Sequence, residues 1–196
     1  MLKLGVTGRI GSGKSIVCQI FSTLGIPVYR ADERAKELVN SNSELQKVII
    51  SEFGNESFVN SVYNRPYIAS VVFKDQKKLS ALNRIIHPVV EKDYSIWLAD
   101  KKKFHYTVYE AAILFESGAS EKMDYILVID APENELINRV MKRDNLSRAE
   151  VELRLNNQWK TDKKDGLADW IIMNDGNTLI LPKVLEIHKY LMQLMN

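Results

Sequence analysis

The sequence predicts an α/β fold, a parallel sheet with helices on both faces, interrupted by one long helical insert. Three observations predict it. Outside the insert, short apolar runs alternate with amphipathic stretches, the pattern of parallel strands joined by helical crossovers. The first thirty residues already complete a strand, glycine loop, helix and strand. Residues 32–99 carry few strand signals and read as successive helices.

The elements follow in order. "LKLGVTG" (2–8) is an apolar run ending in glycine, hence a buried strand. In "KSIVCQIFSTLG", Val17, Ile20, Phe21 and Leu24 stand at i, i+3, i+4 and i+7, so one helical face is apolar, and Gly25 is a natural stop. "IPVYR" (26–30) is the second strand. The insert holds "ADERAKELV", "SELQKVIISEF", "RPYIASVVF" and "KKLSALNRIIHPVVEKDYSIWLA", with Pro88 expected to kink or break the last. "FHYTVYEA" (104–111) and "YILVIDA" (125–131) are core strands joined through "AAILFESGASEKMD", a loop and short helix. "PENELINRVMKRD" begins with Pro132 at the first helical position. Asp130, ending the strand before it, is expected to cap that helix. "SRAEVELRLNNQWK" opens with Ser147 and has Glu150 three residues on, a capping box. "DWIIMN" (169–174) is a last short strand, and "ILPKVLEIHKYLMQLM" is an amphipathic closing helix.

The composition narrows the function classes. A chain of 196 residues with 45% apolar residues buries a real core, as one domain with a smaller inserted subdomain. A net charge of +2 argues against a general nucleic-acid binder, and "KKK" at 101–103 reads as a solvated turn. One cysteine, Cys18, excludes a disulfide within the chain and reads as a small core residue. No apolar run approaches the roughly 20 residues that cross a bilayer. The expectation is a cytoplasmic protein, monomeric or weakly oligomeric, with no membrane or nucleic-acid partner.

Residues 8–15, "GRIGSGKS", fit G-x-x-x-x-G-K-[ST] between a predicted strand and a predicted helix. This makes the predicted sheet one of P-loop NTPase type. Glycines at 8, 11 and 13 let backbone N–H groups approach phosphate oxygens, and the helix beginning near Gly13 adds its positive dipole end. Lys14 reaches the outer phosphates and Ser15 presents its hydroxyl to Mg²⁺. Arg9 and Ile10 have no assigned role. The motif alone supports triphosphate binding and leaves hydrolysis, sensing and transfer open.

Other residues supply candidate chemistry, each with a structural alternative. Asp32 follows the second strand, at the edge where ligands bind in an open parallel sheet. It either orients and deprotonates an acceptor hydroxyl or caps the helix "ERAKELV". Arg139 and Arg143 are four apart on one helical face, which aims two guanidiniums at one phosphate cluster or makes an ordinary solvated face. Arg148 and Arg154 are weaker candidates. Glu110 ends a strand, where it binds Mg²⁺ through water or is a buried edge carboxylate. His87 among Ile85, Ile86, Val89 and Val90 reads as a satisfied core residue.

The ordered set "TGRIGSGKS", "AD" (31–32), "HP" (87–88), "LFE" (114–116) and "KRD" (142–144), with "LNRIIHP", "NRVMKRD" and "DWIIMNDG", resembles the dephospho-CoA kinase family from residue 1 to about 190. The resemblance implies a nucleotide-binding core at 1–31 and 100–196, a helical acceptor-binding insert at 32–99, and a lid at 136–165. It implies ATP-dependent phosphorylation of the ribose 3′-hydroxyl of dephospho-CoA, the last step of coenzyme A synthesis, with Mg²⁺ accompanying ATP. The catalytic residues would be Asp32, Lys14 and Arg139. ATP would be held by Gly11, Ser12, Gly13, Lys14, Ser15, Ile16 and Arg143, with Asn174 in the turn that contacts adenine. Asp32, Arg65, Arg84 and His87 would serve the acceptor, whose pyrophosphate needs cations, and Ser15 with Glu110 the metal.

Departures from the family pattern fall around the metal: Arg30 where an acid is usual, Glu110 and Ala112 where Asp and Pro are frequent, and Ile16 where Thr is usual. Lys14, Ser15 and Asp32 match. Two other readings are a P-loop kinase of another small alcohol or nucleotide, and a non-catalytic nucleotide switch. The helical insert directly after Asp32 argues against the switch.

Overall fold

The computed structural model describes residues 1–159, 163–164 and 166–194. The chain forms two compact units, Met1–Arg30 with Asp100–Asn196, and Ala31–Ala99.

The first unit is built on β1 (Leu2–Thr7), β2 (Val28–Arg30), β5 (Tyr106–Glu110), β6 (Tyr125–Asp130) and β7 (Trp170–Met173), all parallel in the order β2-β5-β1-β6-β7. β1 is central, and its Leu4 and Val6 are fully buried. Helix α1 (Lys14–Thr23) contributes Val17, Cys18 and Phe21 to this core, and the last helix, α8 (Ile180–Gln193), contributes Val184, Ile187 and Leu191. Each such side chain stabilises the fold by about 1.5–3 kcal/mol. Ile20 and Leu24 of the predicted stripe pack partly buried at its margin, so Cys18 is inside the core. Burial, and next the charge of Glu110, hold the Cys18 thiol well above its ordinary pKa, as suits an inert core residue.

Helices α6 (Glu133–Asp144) and α7 (Arg148–Asn156) follow β6 and share a small core of Leu136, Ile137, Val140, Val151 and Leu155. The capping box at Ser147 and Glu150 forms as predicted. Two expectations near α6 are corrected. Pro132 is the residue before the helix and not its first member. The cap position of α6 falls to Pro132 and not to Asp130, whose carboxylate lies against Arg9. Predicted residues 160–162 and 165 of the lid segment lie outside the described residues.

The second unit holds α2 (Ala31–Ser41), α3 (Ser43–Phe53), α4 (Arg65–Val72) and α5 (Gln76–Ala99). Its core includes Val39, Leu45, Ile49, Phe53, Ile68, Val72 and Leu82. The side chains of Asn42 and Asn64 cap α3 and α4. It also contains a small hairpin, β3 (Phe58–Val59) with β4 (Val62–Tyr63), that the helical reading missed. Asn60 and Ser61 between them both have positive φ (49° and 64°), the two-residue turn that matches strand twist. Pro88 does not break the chain into two helices; α5 runs through it. Pro88 has no N–H to donate to the Arg84 carbonyl, and both residues are exposed. Val90 is buried and Ile85, Ile86 and Val89 pack on the core, on either side of the proline.

Candidate active site

The phosphate loop links the end of β1 to the start of α1. Gly11 and Gly13 have φ of 85° and 100°, open to glycine at little cost. Space also demands glycine. A Cβ on Gly11 would stand 2.8 Å from the Leu136 carbonyl and from Val140 Cγ2, so the loop lies directly on α6. A Cβ on Gly13 would collide with the Asn174 amide. The hydroxyls of Thr7 and Ser12 are buried with no hydrogen-bond partner among the described residues. Lys14 Nζ donates to the Gly8 carbonyl at 2.9 Å, across the base of the loop.

Three side chains that are distant in sequence lock this loop. Arg9 is 8% exposed; its Nε and Nη2 each lie 3.4 Å from Asp130 Oδ1, and Nη1 donates to Glu133 at 3.0 Å. Asn174 Nδ2 donates to the Ser12 carbonyl at 2.8 Å, while the Asn174 N–H donates to the Asp130 carbonyl at 2.7 Å. Gln158 accepts from the Ile10 N–H at 2.8 Å. Arg9 and Ile10, without a role in the sequence reading, are therefore the loop's points of attachment. Arg9, Asp130 and Gln158 were missed as site residues. Their only signal was an unexplained arginine inside the motif, because each partner lies more than a hundred residues away.

Arg139 and Arg143 share α6 but not their partners. Arg139 is half-buried; its Nη2 donates to the Asn174 carbonyl at 3.0 Å, and Glu135 lies 3.8 Å from Nε. This places it beside the turn that holds the phosphate loop. Arg143 is exposed and grips Asp144 with two bonds of 2.7 and 3.0 Å. That bonding raises its pKa further. Arg154 reaches the same Asp144 at 3.3 Å, and Arg148 pairs with Glu152.

Ser15 and Ile16 are exposed in the first turn of α1. Glu110 is buried at the end of β5, directly opposite Arg30 on β2, with Arg30 Nε at 3.6 Å from its carboxylate. One hydroxyl and one carboxylate suit Mg²⁺, which keeps most of its shell as water and phosphate oxygens. No group of three or more His, Cys, Asp or Glu side chains that would cage a metal occurs among the described residues.

In the helical unit, Asp32 is the second residue of α2 and exposed, so it sits inside the helix and not at its cap. Its charge favours protonation of His87 on α5, but burial outweighs it and holds His87 below its ordinary pKa. Arg84 lies one turn before His87 on α5 and is exposed, whereas Arg65 opens α4. The structure thus brings Asp32 and His87 within electrostatic reach and leaves Arg65 on a separate helix.

A parallel sheet with a glycine-rich phosphate loop leaving its central strand, a helix running from that loop, and an arginine-bearing helix against it define a P-loop protein of the small kinase class. A solved structure from Thermus thermophilus superposes with a TM-score of 0.80 at 30% identity, covering 100% of this chain and 98% of that one. A dephospho-CoA kinase from Campylobacter jejuni gives 0.66 at 27% identity over 95% of each chain. A dephospho-CoA kinase of Bacteroides fragilis is 33% identical over 192 residues, 98% of this chain and 94% of the relative. The family model for dephospho-CoA kinase matches residues 2–179, and the chain belongs to that family.

Proposed function

We propose that this chain transfers the terminal phosphoryl group of ATP to the ribose 3′-hydroxyl of dephospho-CoA, giving coenzyme A and ADP. The observation that carries the reading is the locked phosphate loop in a chain of this family. The bond that forms joins the acceptor oxygen to the γ-phosphorus; the bond that breaks joins that phosphorus to the β–γ bridging oxygen. Little covalent chemistry is asked of the protein, so positioning and charge do most of the work.

The N–H groups from Gly11 to Ser15 hold the β- and γ-phosphates, and Lys14 leaves the Gly8 carbonyl to meet them. Ile16 borders the nucleotide. Ser15 and Glu110 hold the Mg²⁺ that accompanies ATP, and the ion neutralises phosphate charge when bound. Arg30 beside Glu110 aligns that carboxylate. Asp32 accepts the proton of the acceptor hydroxyl. Arg139 stabilises the charge on the migrating group, and Arg143 binds the nucleotide phosphates from the same helix. Asn174 sets the turn beside adenine. Arg65, Arg84 and His87 serve the acceptor in the helical unit 32–99. Residues 136–165 act as a lid over the core formed by 1–31 and 100–196, and closure keeps water from competing for the phosphoryl group.

The protein works in the cytoplasm as a monomer or weak oligomer, without membrane or nucleic acid. Among the described residues no helix is long and apolar enough to cross a membrane.

The test is direct. Purified protein with Mg-ATP is expected to release ADP and form coenzyme A when dephospho-CoA is added, and to hydrolyse ATP only slowly without it. No acceptor-dependent ADP, or a better acceptor in a panel of alcohols and nucleotides, overturns the assignment.

A further inference from the structure

Gln158 follows the last turn of α7 and belongs to none of the motifs above. Its carboxamide has two partners. Oε1 accepts from the Ile10 N–H at 2.8 Å, and Nε2 donates to the Ala112 carbonyl at 3.2 Å. Ile10 lies in the phosphate loop, and Ala112 lies two residues beyond Glu110, just past the end of β5. The partners fix which end of the amide is which, since an N–H requires the oxygen and a carbonyl requires the nitrogen. A neutral side chain of this length with one donor and one acceptor meets both.

The same stretch is fastened a second time. The Trp159 N–H donates to Glu116 Oε1 at 2.7 Å, and the Trp159 ring stacks on Phe115 with centroids 6.1 Å apart. Lys164 is fully buried with Nζ 3.3 Å from that Glu116 oxygen. The α6–α7 arm therefore returns to the sheet at a built anchor, and one side chain of that anchor reaches into the phosphate loop.

The geometry points to Gln158 as a positioning residue for the nucleotide phosphates: it holds the Ile10–Gly11 backbone in its phosphate-binding posture and registers that loop against the strand end bearing Glu110. Without it the Ile10 N–H loses this acceptor and the Ala112 carbonyl loses this donor, and the loop is released from the strand end. The loop's affinity for phosphate falls, while groups that touch only the acceptor are unaffected. The inference rests on the kinase reading for its purpose but not for its test.

The test is ADP binding to the full chain by calorimetry, without acceptor. Gln158→Leu and Gln158→Glu are expected to bind ADP about tenfold more weakly than the wild type near pH 8, the size of one lost hydrogen bond at a half-buried site. A glutamate keeps the acceptor for Ile10 but sets a second acceptor against the Ala112 carbonyl. Once protonated it regains a donor and copies the glutamine. The ratio of Gln158→Glu to wild-type affinity is therefore expected to rise toward one as pH falls below the carboxyl pKa, about 4.3 for a free glutamate, while that of Gln158→Leu does not.

Charged neighbours on the contacting segments are Arg9, Glu110, Glu116, Lys163 and Lys164. Their own titrations are common to variant and wild type, and their action on the introduced carboxylate is separated by the uncharged Gln158→Leu, which lacks it. If Gln158→Leu does not fold, Gln158→Met, which is also uncharged and also lacks both hydrogen bonds, takes its place. Unchanged ADP affinity, or a deficit that does not close with acid, overturns the proposal, because a merely structural loss would not recover on protonation. Failure of dephospho-CoA as acceptor would leave this result untouched.

Discussion

The two units present their candidate residues in opposite ways. In the sheet unit the phosphate loop is tied down by side chains from far along the chain: Arg9 to Asp130, Asn174 to the Ser12 carbonyl, Gln158 to the Ile10 N–H. In the helical unit, Asp32, Arg65 and Arg84 stand exposed on helices whose packing is apolar and beneath them. The difference teaches where substitution reads function and where it also reads structure. A side chain on an exposed helix face can be changed at little cost in stability. A side chain that ties the loop changes the loop with it.

Four predictions bear on that contrast, the largest first. Arg139→Ala is expected to lower kcat by about 10³-fold or more in an ADP-release assay, as an arginine on the transferring phosphoryl does. Because Arg139 also bonds the Asn174 carbonyl, its melting temperature should fall too. A fully active variant would remove Arg139 from the chemistry.

Asp32→Asn is expected to lower kcat by about 10²–10⁴-fold, the range of one general base, with ADP affinity and melting temperature unchanged. Equal losses in turnover and in ADP affinity would show that Asp32 supports the fold of the site instead.

Arg9→Met removes the arginine that faces the buried Asp130 carboxylate and should cost about 3–5 kcal/mol in denaturant unfolding. The double variant Arg9→Met, Asp130→Leu should recover most of that stability, since the pair's desolvation is removed with it. No recovery would mean that the pair is not the source of the loss.

The smallest effect concerns pH. Burial holds His87 below its ordinary value of 6.5 in the folded chain. The unfolded chain therefore takes up protons first, so the stability associated with neutral His87 is complete above about pH 6.5 and is lost as pH falls through the folded value. His87→Gln is expected to flatten the decline of melting temperature on acidification. His188, also held low by burial, contributes in the same direction and remains in the variant. An unchanged acid limb would place the transition elsewhere.

Much of this molecule was legible in its sequence, for reasons that differ between elements. The strands at 2–7 and 125–130 and the helices at 14–23 and 148–156 announce themselves through local periodicity, glycine stops and a capping box. The hairpin at 58–63 escaped because two-residue strands carry almost no periodic signal; only the Asn60-Ser61 turn marked it. Pro88 misled because a proline's local cost was read without the core that spans it. Asp130 misled in the same way: a carboxylate before a helix suggests a cap, but an arginine across the fold claimed it.

By itself the sequence determined the phosphate-loop motif, the strand–helix–strand start, the helical insert and the family, because each is written in neighbouring residues or in an ordered string of them. Only the tertiary structure decided what holds the loop. Arg9 meets Asp130 across 121 positions, Ile10 meets Gln158 across 148, and Ser12 meets Asn174 across 162. Hydrogen bonds and ion pairs at such separations follow from strand order and crossover packing, and no periodicity within either segment encodes its partner.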